Sequence, residues 1–97
     1  MPTYIVIGDW TDQGVANFEQ TVDRYDAGLS QLKALGVSVK DRYWTLGDHD
    51  MVSIIDAPDD EALAGALLKL ASLGHIRTIT LRAFSADEMR AVIAKSA

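Results

Sequence analysis

The chain switches repeatedly between two hydrophobic periods. "TYIVIG", residues 3–8, is apolar at nearly every position, rich in β-branched and aromatic residues, and stopped by Gly8. That is the pattern of a strand buried on both faces. The period then changes: Val15, Phe18, Val22, Tyr25, Leu29, Leu32 and Leu35 recur at steps of three and four, which predicts one face of a long helix. Thr11 or Asp12 is placed to cap its start and Gly36 to end it. Residues 37–46, "VSVKDRYWTL", return to alternation, with Val37, Val39, Asp41, Tyr43 and Thr45 on one face and Ser38, Lys40, Arg42, Trp44 and Leu46 on the other. After "GDHD" a further strand, "MVSIIDA", runs to a break at Pro58. Asp59 is placed to cap a helix built on Leu63, Leu67 and Leu70 that ends at Gly74. "HIRTITLRAF", residues 75–84, is a fourth strand. Ser85 and Glu88 make an S-x-x-E capping box ahead of a short terminal helix, with Phe84 placed to pack on Met89.

The order β-α-β-β-α-β plus a terminal helix predicts an α+β, ferredoxin-like fold: a four-stranded antiparallel sheet with both helices on one face. The other face then carries Tyr4 or Ile5 and Ser53 or Ile54, and is too apolar to stay wet. A homodimer with two sheets face to face solves that problem, and higher assembly would leave no mark in the sequence. One domain over residues 1–97 is expected, at a length where burial is marginal and subunit pairing supplies missing apolar contact.

Charge and composition remove several classes. The net charge is −5 and Lys and Arg are not clustered, which argues against nucleic acid and anionic membranes as partners. There is no cysteine, so disulfides and thiol chemistry are excluded. The opening "MPTYIVIGDW" turns polar too soon for a signal peptide, and a cytoplasmic protein is expected.

Four stretches, "MPTYIVIGDWTDQG", "YWTLGDHD", "DAPDDEA" and "SLGHIRTITLRAF", together resemble the GYD domain family, in order and over about Met1 to Ile93. The resemblance implies a dimeric α/β-barrel. It carries no single activity, because related barrels include cofactor-independent monooxygenases, lactone isomerases, polyketide cyclases and haem proteins. The family hairpin normally holds tyrosine before its final aspartate, where this chain has His49, and asparagine is more usual at His75.

The candidate chemistry is weighed against ordinary structural roles. Asp48-His49-Asp50 reads first as a polar hairpin, since adjacent residues point apart and no metal-ligand spacing is present. His49 is nonetheless an acid–base candidate, with Tyr43 and Trp44 as companions in a monooxygenase or isomerase reading. His75 and Arg77, on one side of the last strand, would form an anion clamp; the plainer reading is a cation at a helix C-terminus. Asp9, Trp10 and Thr11 follow the first strand, where Trp10 can wall a pocket. Tyr4, Tyr43, Thr45, Ser53, Thr78, Thr80 and Arg82, if they share a face, would give an apolar lumen with a few polar groups. A buried Arg82 needs an acidic partner, and Asp41 and Asp56 are available.

The function expected is binding of a small, mostly apolar molecule in a pocket between sheet and helices or at the dimer interface, with Tyr4, Asp9, Trp10, Trp44, His49, Arg77 and Arg82 as its contacts. No metal and no cofactor are expected, although a haem ligated by His49 or His75 is a minor alternative. A structural or sensing oligomer with a filled interface is the other rival.

Overall fold

The computed structural model describes residues 1–97. Its elements are β1 (Thr3–Trp10), α1 (Asp12–Ala16), a single 3-10 turn (Phe18–Gln20), α2 (Thr21–Ala34), β2 (Ser38–Trp44), β3 (Met51–Asp56), α3 (Asp60–Ser72), β4 (Ile76–Ala83) and α4 (Ala86–Ser96). The sheet has the order β2-β3-β1-β4, antiparallel throughout. This is the four-stranded α+β arrangement that the hydrophobic periods predict.

The long helix is not continuous. Thr11 caps α1 by accepting the Gly14 N–H at 3.1 Å, but the chain leaves helical geometry at Asn17, with φ −108° and ψ 33°. There the Asn17 side-chain amide donates to the Gln13 carbonyl at 2.9 Å, a local bond that competes with helix propagation. The expected stripe is therefore split, and Val15, Phe18 and Val22 stay about half exposed, at 49%, 54% and 48%. α2 ends as expected. Gly36 takes φ 80°, its N–H bonds the Lys33 carbonyl, and the Val37 N–H returns to Leu32. This is a Schellman motif whose flanking residues, Leu32 and Val37, both enter the core.

Alternation along β1 settles the faces of the sheet. Tyr4, Val6 and Gly8 are buried under the helices, while Ile5 and Ile7 are only partly covered on the opposite face. β1 is thus buried on one side, not two. Residues paired across strands share a face, so Thr78, Thr80 and Arg82 lie with Tyr4 and Val6, and Ile79 and Leu81 lie with Ile5 and Ile7. β2 departs from simple alternation. Val39 pairs with Ile55, Asp41 with Ile54 and Arg42 with Ser53, so a bulge around Lys40 absorbs one residue. It brings Arg42 and Trp44 onto the helix side with Val39, and sends Tyr43 to the open side. The expected grouping of Tyr43 with Tyr4, Ser53 and Arg82 is corrected by that one residue.

The core lies between sheet and helices and is small. Tyr4, Val6, Ile55, Ala57, Leu63 and Ala66, with Leu32 and Val37, form its cluster. Only 13 of 97 residues are buried, and no large side chain is fully enclosed. The Tyr4 hydroxyl donates to Asp60 at the start of α3, a bond that raises the phenol's pKa and ties helix to strand. Thr3 donates to Asp56 at 2.7 Å and Lys40 sits 3.0 Å from the same carboxylate, which binds β1, β3 and β2 at one end of the sheet. α4 begins with the expected capping box, Ser85 and Glu88 bonding each other's backbone N–H groups.

The other end is closed by backbone. The Thr11 N–H bonds the His75 carbonyl at 3.2 Å and the Thr11 hydroxyl donates to the Gly74 carbonyl at 2.6 Å. α1 approaches so closely that a Cβ on Gly14 would lie 2.0 Å from the His75 oxygen. Gly28, by contrast, has ordinary room: a Cβ there would meet a Leu70 methyl at 3.6 Å.

These two glycines should respond to alanine in opposite ways. In urea melts, Gly14→Ala loses about 2 kcal/mol or more, through a clash with backbone that cannot step aside. Gly28→Ala gains about 0.5–1 kcal/mol, because a helix-interior glycine is relieved without strain. A further expectation concerns acid. The Thr3 hydroxyl and then Lys40 lower the Asp56 pKa below its ordinary value of 3.8, so the folded protein holds that proton more weakly than the unfolded chain. The stabilisation is complete above 3.8 and fades as pH drops through the lowered folded value. Asp56→Asn flattens the fall in urea stability between about pH 5 and pH 2, and an unchanged fall would remove Asp56 from the acid response.

Candidate functional site

The two main helices do not fill the space they cover. Between them and the sheet lies a cavity of about 100 Å³. β1 contributes Val6, Gly8 and Trp10; β3 contributes Met51, Ser53 and Ile55. α2 presents Thr21, Arg24, Tyr25, Gly28 and Leu32, and α3 presents Leu67 and Leu70, with Leu73 just beyond. His75, Ile76 and Thr78 close the side along β4. The walls grade in character. Around Val6, Ile55 and Leu32 they merge with the core cluster. Where β1 ends, α2 begins and β4 starts, they carry Trp10, Thr21, Arg24 and His75.

Several polar groups in this region are held by one another. The hydroxyls of Tyr25 and Ser53 bond each other across the cavity wall. Burial pushes the Tyr25 phenol's pKa up, against the smaller opposing effects of Ser53 and Arg42. Tyr25 is therefore neutral near neutral pH and has no proton-accepting form there. Behind it, Arg42 lies 4.8 Å from the Tyr25 ring centre and 5.8 Å from that of Trp44, and bonds Asp26. Trp44 meets Tyr25 edge to face at 5.7 Å and donates its indole N–H to Thr21 at 3.1 Å. This cluster pins α2 to β2. The Trp10 indole Nε1–H is buried without an acceptor.

The residues singled out from sequence divide between the two faces. Trp10 lines the cavity, as does His75. Trp44 stands behind the wall, on the far side of Tyr25. Tyr4 is held by Asp60 and lies deeper in the core, under Arg82 at 5.7 Å from its ring centre. Arg82 is exposed and needs no acid: it donates to the Thr3 and Ala83 carbonyls and stacks on Phe84 at 4.5 Å, so the expected pairing with Asp41 or Asp56 is replaced by backbone and aromatic contacts. Arg77 is exposed opposite Asp9 on the open face, away from His75. The expected clamp is separated because β4 begins at Ile76, leaving His75 outside the alternation. Tyr43 is also on the open face, 58% exposed.

The hairpin resolves into separate tasks. His49 Nδ1 lies 3.1 Å and 3.2 Å from the two carboxylate oxygens of Asp9, on the open face. Asp50 accepts the Trp10 N–H at 2.9 Å while its own N–H bonds the Gly8 carbonyl at 3.1 Å, extending the β1 ladder past the end of β3. Thr45 closes the turn through the Asp50 and His49 carbonyls, at 2.8 Å and 2.6 Å. Nowhere do three histidine, aspartate or glutamate side chains converge as a metal site requires. Sequence reasoning missed Arg24, Tyr25 and Arg42. Tyr25 was visible as a helix-face residue, but Arg42 was hidden by the bulge.

The GYD domain model matches residues 4–93. The chain belongs to the GYD domain family. This GYD protein is 35% identical over 90 residues to the glutamine synthetase and cystathionine beta-lyase binding protein of Thermus thermophilus, covering 92% of this chain and 95% of the relative. It also resembles the crystal structure of TTHA0845, a protein of the same organism, at a TM-score of 0.57 and 26% identity, over 89% of this chain and 96% of the other.

Tyr25→Phe leaves the buried Ser53 hydroxyl unpaired and costs about 1–2 kcal/mol in urea melts. The double variant Tyr25→Phe with Ser53→Ala recovers most of that loss. Additive losses would mean that the two hydroxyls do not depend on each other.

Proposed function

We propose that this GYD protein is a cytoplasmic, homodimeric binding module. Two open sheet faces meet, and each subunit keeps a small-molecule site between its own helices and sheet. The observation that carries the site is the half-open cavity of about 100 Å³ between the helices and the sheet, apolar at depth and polar at one end. An apolar pocket with a few polar groups at one end is the common form of a small-molecule site.

Support for the dimer comes from what is left uncovered. Ile79 and Leu81, on the edge strand β4, are 49% and 47% exposed on the open face, beside Ile5 and Ile7, with Val52 and Ile54 on the next strand. α4 has no buried residue and presents Phe84, Met89 and Ile93 at its start and along one side. A monomer would hold all of this apolar surface in water. No helix is long and apolar enough to cross a membrane.

A second reading is favoured by the relative whose printed name is a binding protein of two enzymes. The exposed side of α4 is a surface on which such a protein partner would dock. Catalysis is the weaker reading. Of the titratable side chains lining the cavity, burial holds Tyr25 protonated, which leaves His75 as the one base available there. His49 stands on the other face.

Native mass spectrometry of freshly purified protein, repeated after denaturation, tests the proposal. A dimer with a small extra mass per subunit supports it, and Ile79→Glu yields monomer at micromolar concentration. A monomeric wild type would overturn the sheet-to-sheet dimer. A clean dimer that binds no small apolar probe would overturn the site and leave the protein-binding reading.

A further inference from the structure

The polar end of the cavity has a chemical bias. None of the chain's 14 acidic side chains lines it, although acids outnumber the 9 basic residues. An arginine and a histidine do line it, in a protein whose net charge is −5. Arg24 is half-buried, and its hydrogen bond is to a neutral acceptor, the Asn17 carbonyl at 2.8 Å. A guanidinium has five N–H donors, so most of Arg24's capacity is unspent. Trp10 adds an indole N–H, a group that can only donate, buried and without an acceptor. Such a donor keeps the full cost of its lost hydration until an acceptor reaches it. His75 supplies an N–H donor in either protonation state. Three donor-bearing side chains, from β1, α2 and the start of β4, therefore stand at one end of a cavity that supplies them with no carboxylate; the Trp10 N–H itself is covered, so a guest reaches it only as the indole turns.

Size sets the other limit. An apolar cavity of about 150 Å³ accepts benzene, and this one is about 100 Å³. The cavity is half open, so a guest need not be wholly enclosed, and a compact body of about six or seven carbons lodges among Val6, Leu32, Leu67 and Leu70 with part of it outside.

We propose that the ligand is a small monocarboxylic acid, its apolar body lodged between α2 and α3 and its carboxylate held by Trp10, Arg24 and His75. This rests on the reading of the cavity as a binding site and names the class of molecule that site takes. The carboxylate supplies the acceptor that the Trp10 N–H lacks and the charge that Arg24 lacks, in a half-enclosed place where a charge-assisted bond is stronger than in water.

The test titrates the full chain with benzoate and hexanoate, and with benzamide, benzylamine and toluene as neutral, cationic and purely apolar counterparts. Calorimetry gives affinity, and the Trp10 indole N–H resonance in proton–nitrogen NMR reports the new bond. Benzoate or hexanoate is expected to bind at least about tenfold tighter than the other three, moving the Trp10 resonance downfield. Arg24→Gln and Trp10→Phe each weaken it by about tenfold, leaving toluene binding unchanged for Arg24→Gln. If Trp10→Phe unfolds, Arg24→Gln, on a half-exposed helix side chain, still decides the matter. Equal binding of toluene or benzamide, or preference for benzylamine, overturns the acid while leaving the site. Saturation by none of the five probes overturns both.

Discussion

Two helices, of 14 and 13 residues, have to cover one face of a four-stranded sheet, and they are not enough. Every notable property of the molecule descends from that shortage. The helices lie close where α2 ends and α3 begins, around Leu32, Val37, Leu63 and Ala66, and there the core is dry and tight. Toward the other end they leave a cavity. The opposite face of the sheet has no helix at all, and the terminal helix, instead of covering it, stands with no residue buried. A small chain in this condition keeps apolar surface unpartnered on both sides of its sheet.

The fold could be read in advance because its periods are clean. Four strands and two helices follow from alternation, three-and-four spacing and the stops at Gly36, Pro58 and Gly74. The deviations are local bonds that hydrophobicity does not encode. Asn17 breaks the first helix because its side chain finds a carbonyl one turn back. The bulge around Lys40 inverts half of β2 by absorbing a single residue. No pattern of apolar positions announces either event.

The site was legible only in part for the same reason. Trp10 could be placed at a pocket from its position just after an apolar strand. The polar end also needs Arg24, which looks like any surface cation on a helix until α2 is set against the end of β1. His49 drew attention because its neighbours are acidic, yet its partner is Asp9, 40 residues away, and Asp50 serves the backbone of β1. Proximity in sequence was a poor guide to proximity in space at the hairpin, where successive side chains point to opposite sides of the sheet.

That opposition has a mechanical meaning at the end of β1. Asp9 and Trp10 share one peptide unit; the first side chain looks out to His49, the second in to the cavity. The same N–H that joins them is gripped by Asp50, itself one residue from His49. A planar peptide does not twist, so it tilts as a plank. Asp9 and Trp10 hang from that plank on opposite faces of the sheet. The cavity side and the open side of the sheet thus rest on opposite ends of a single plank.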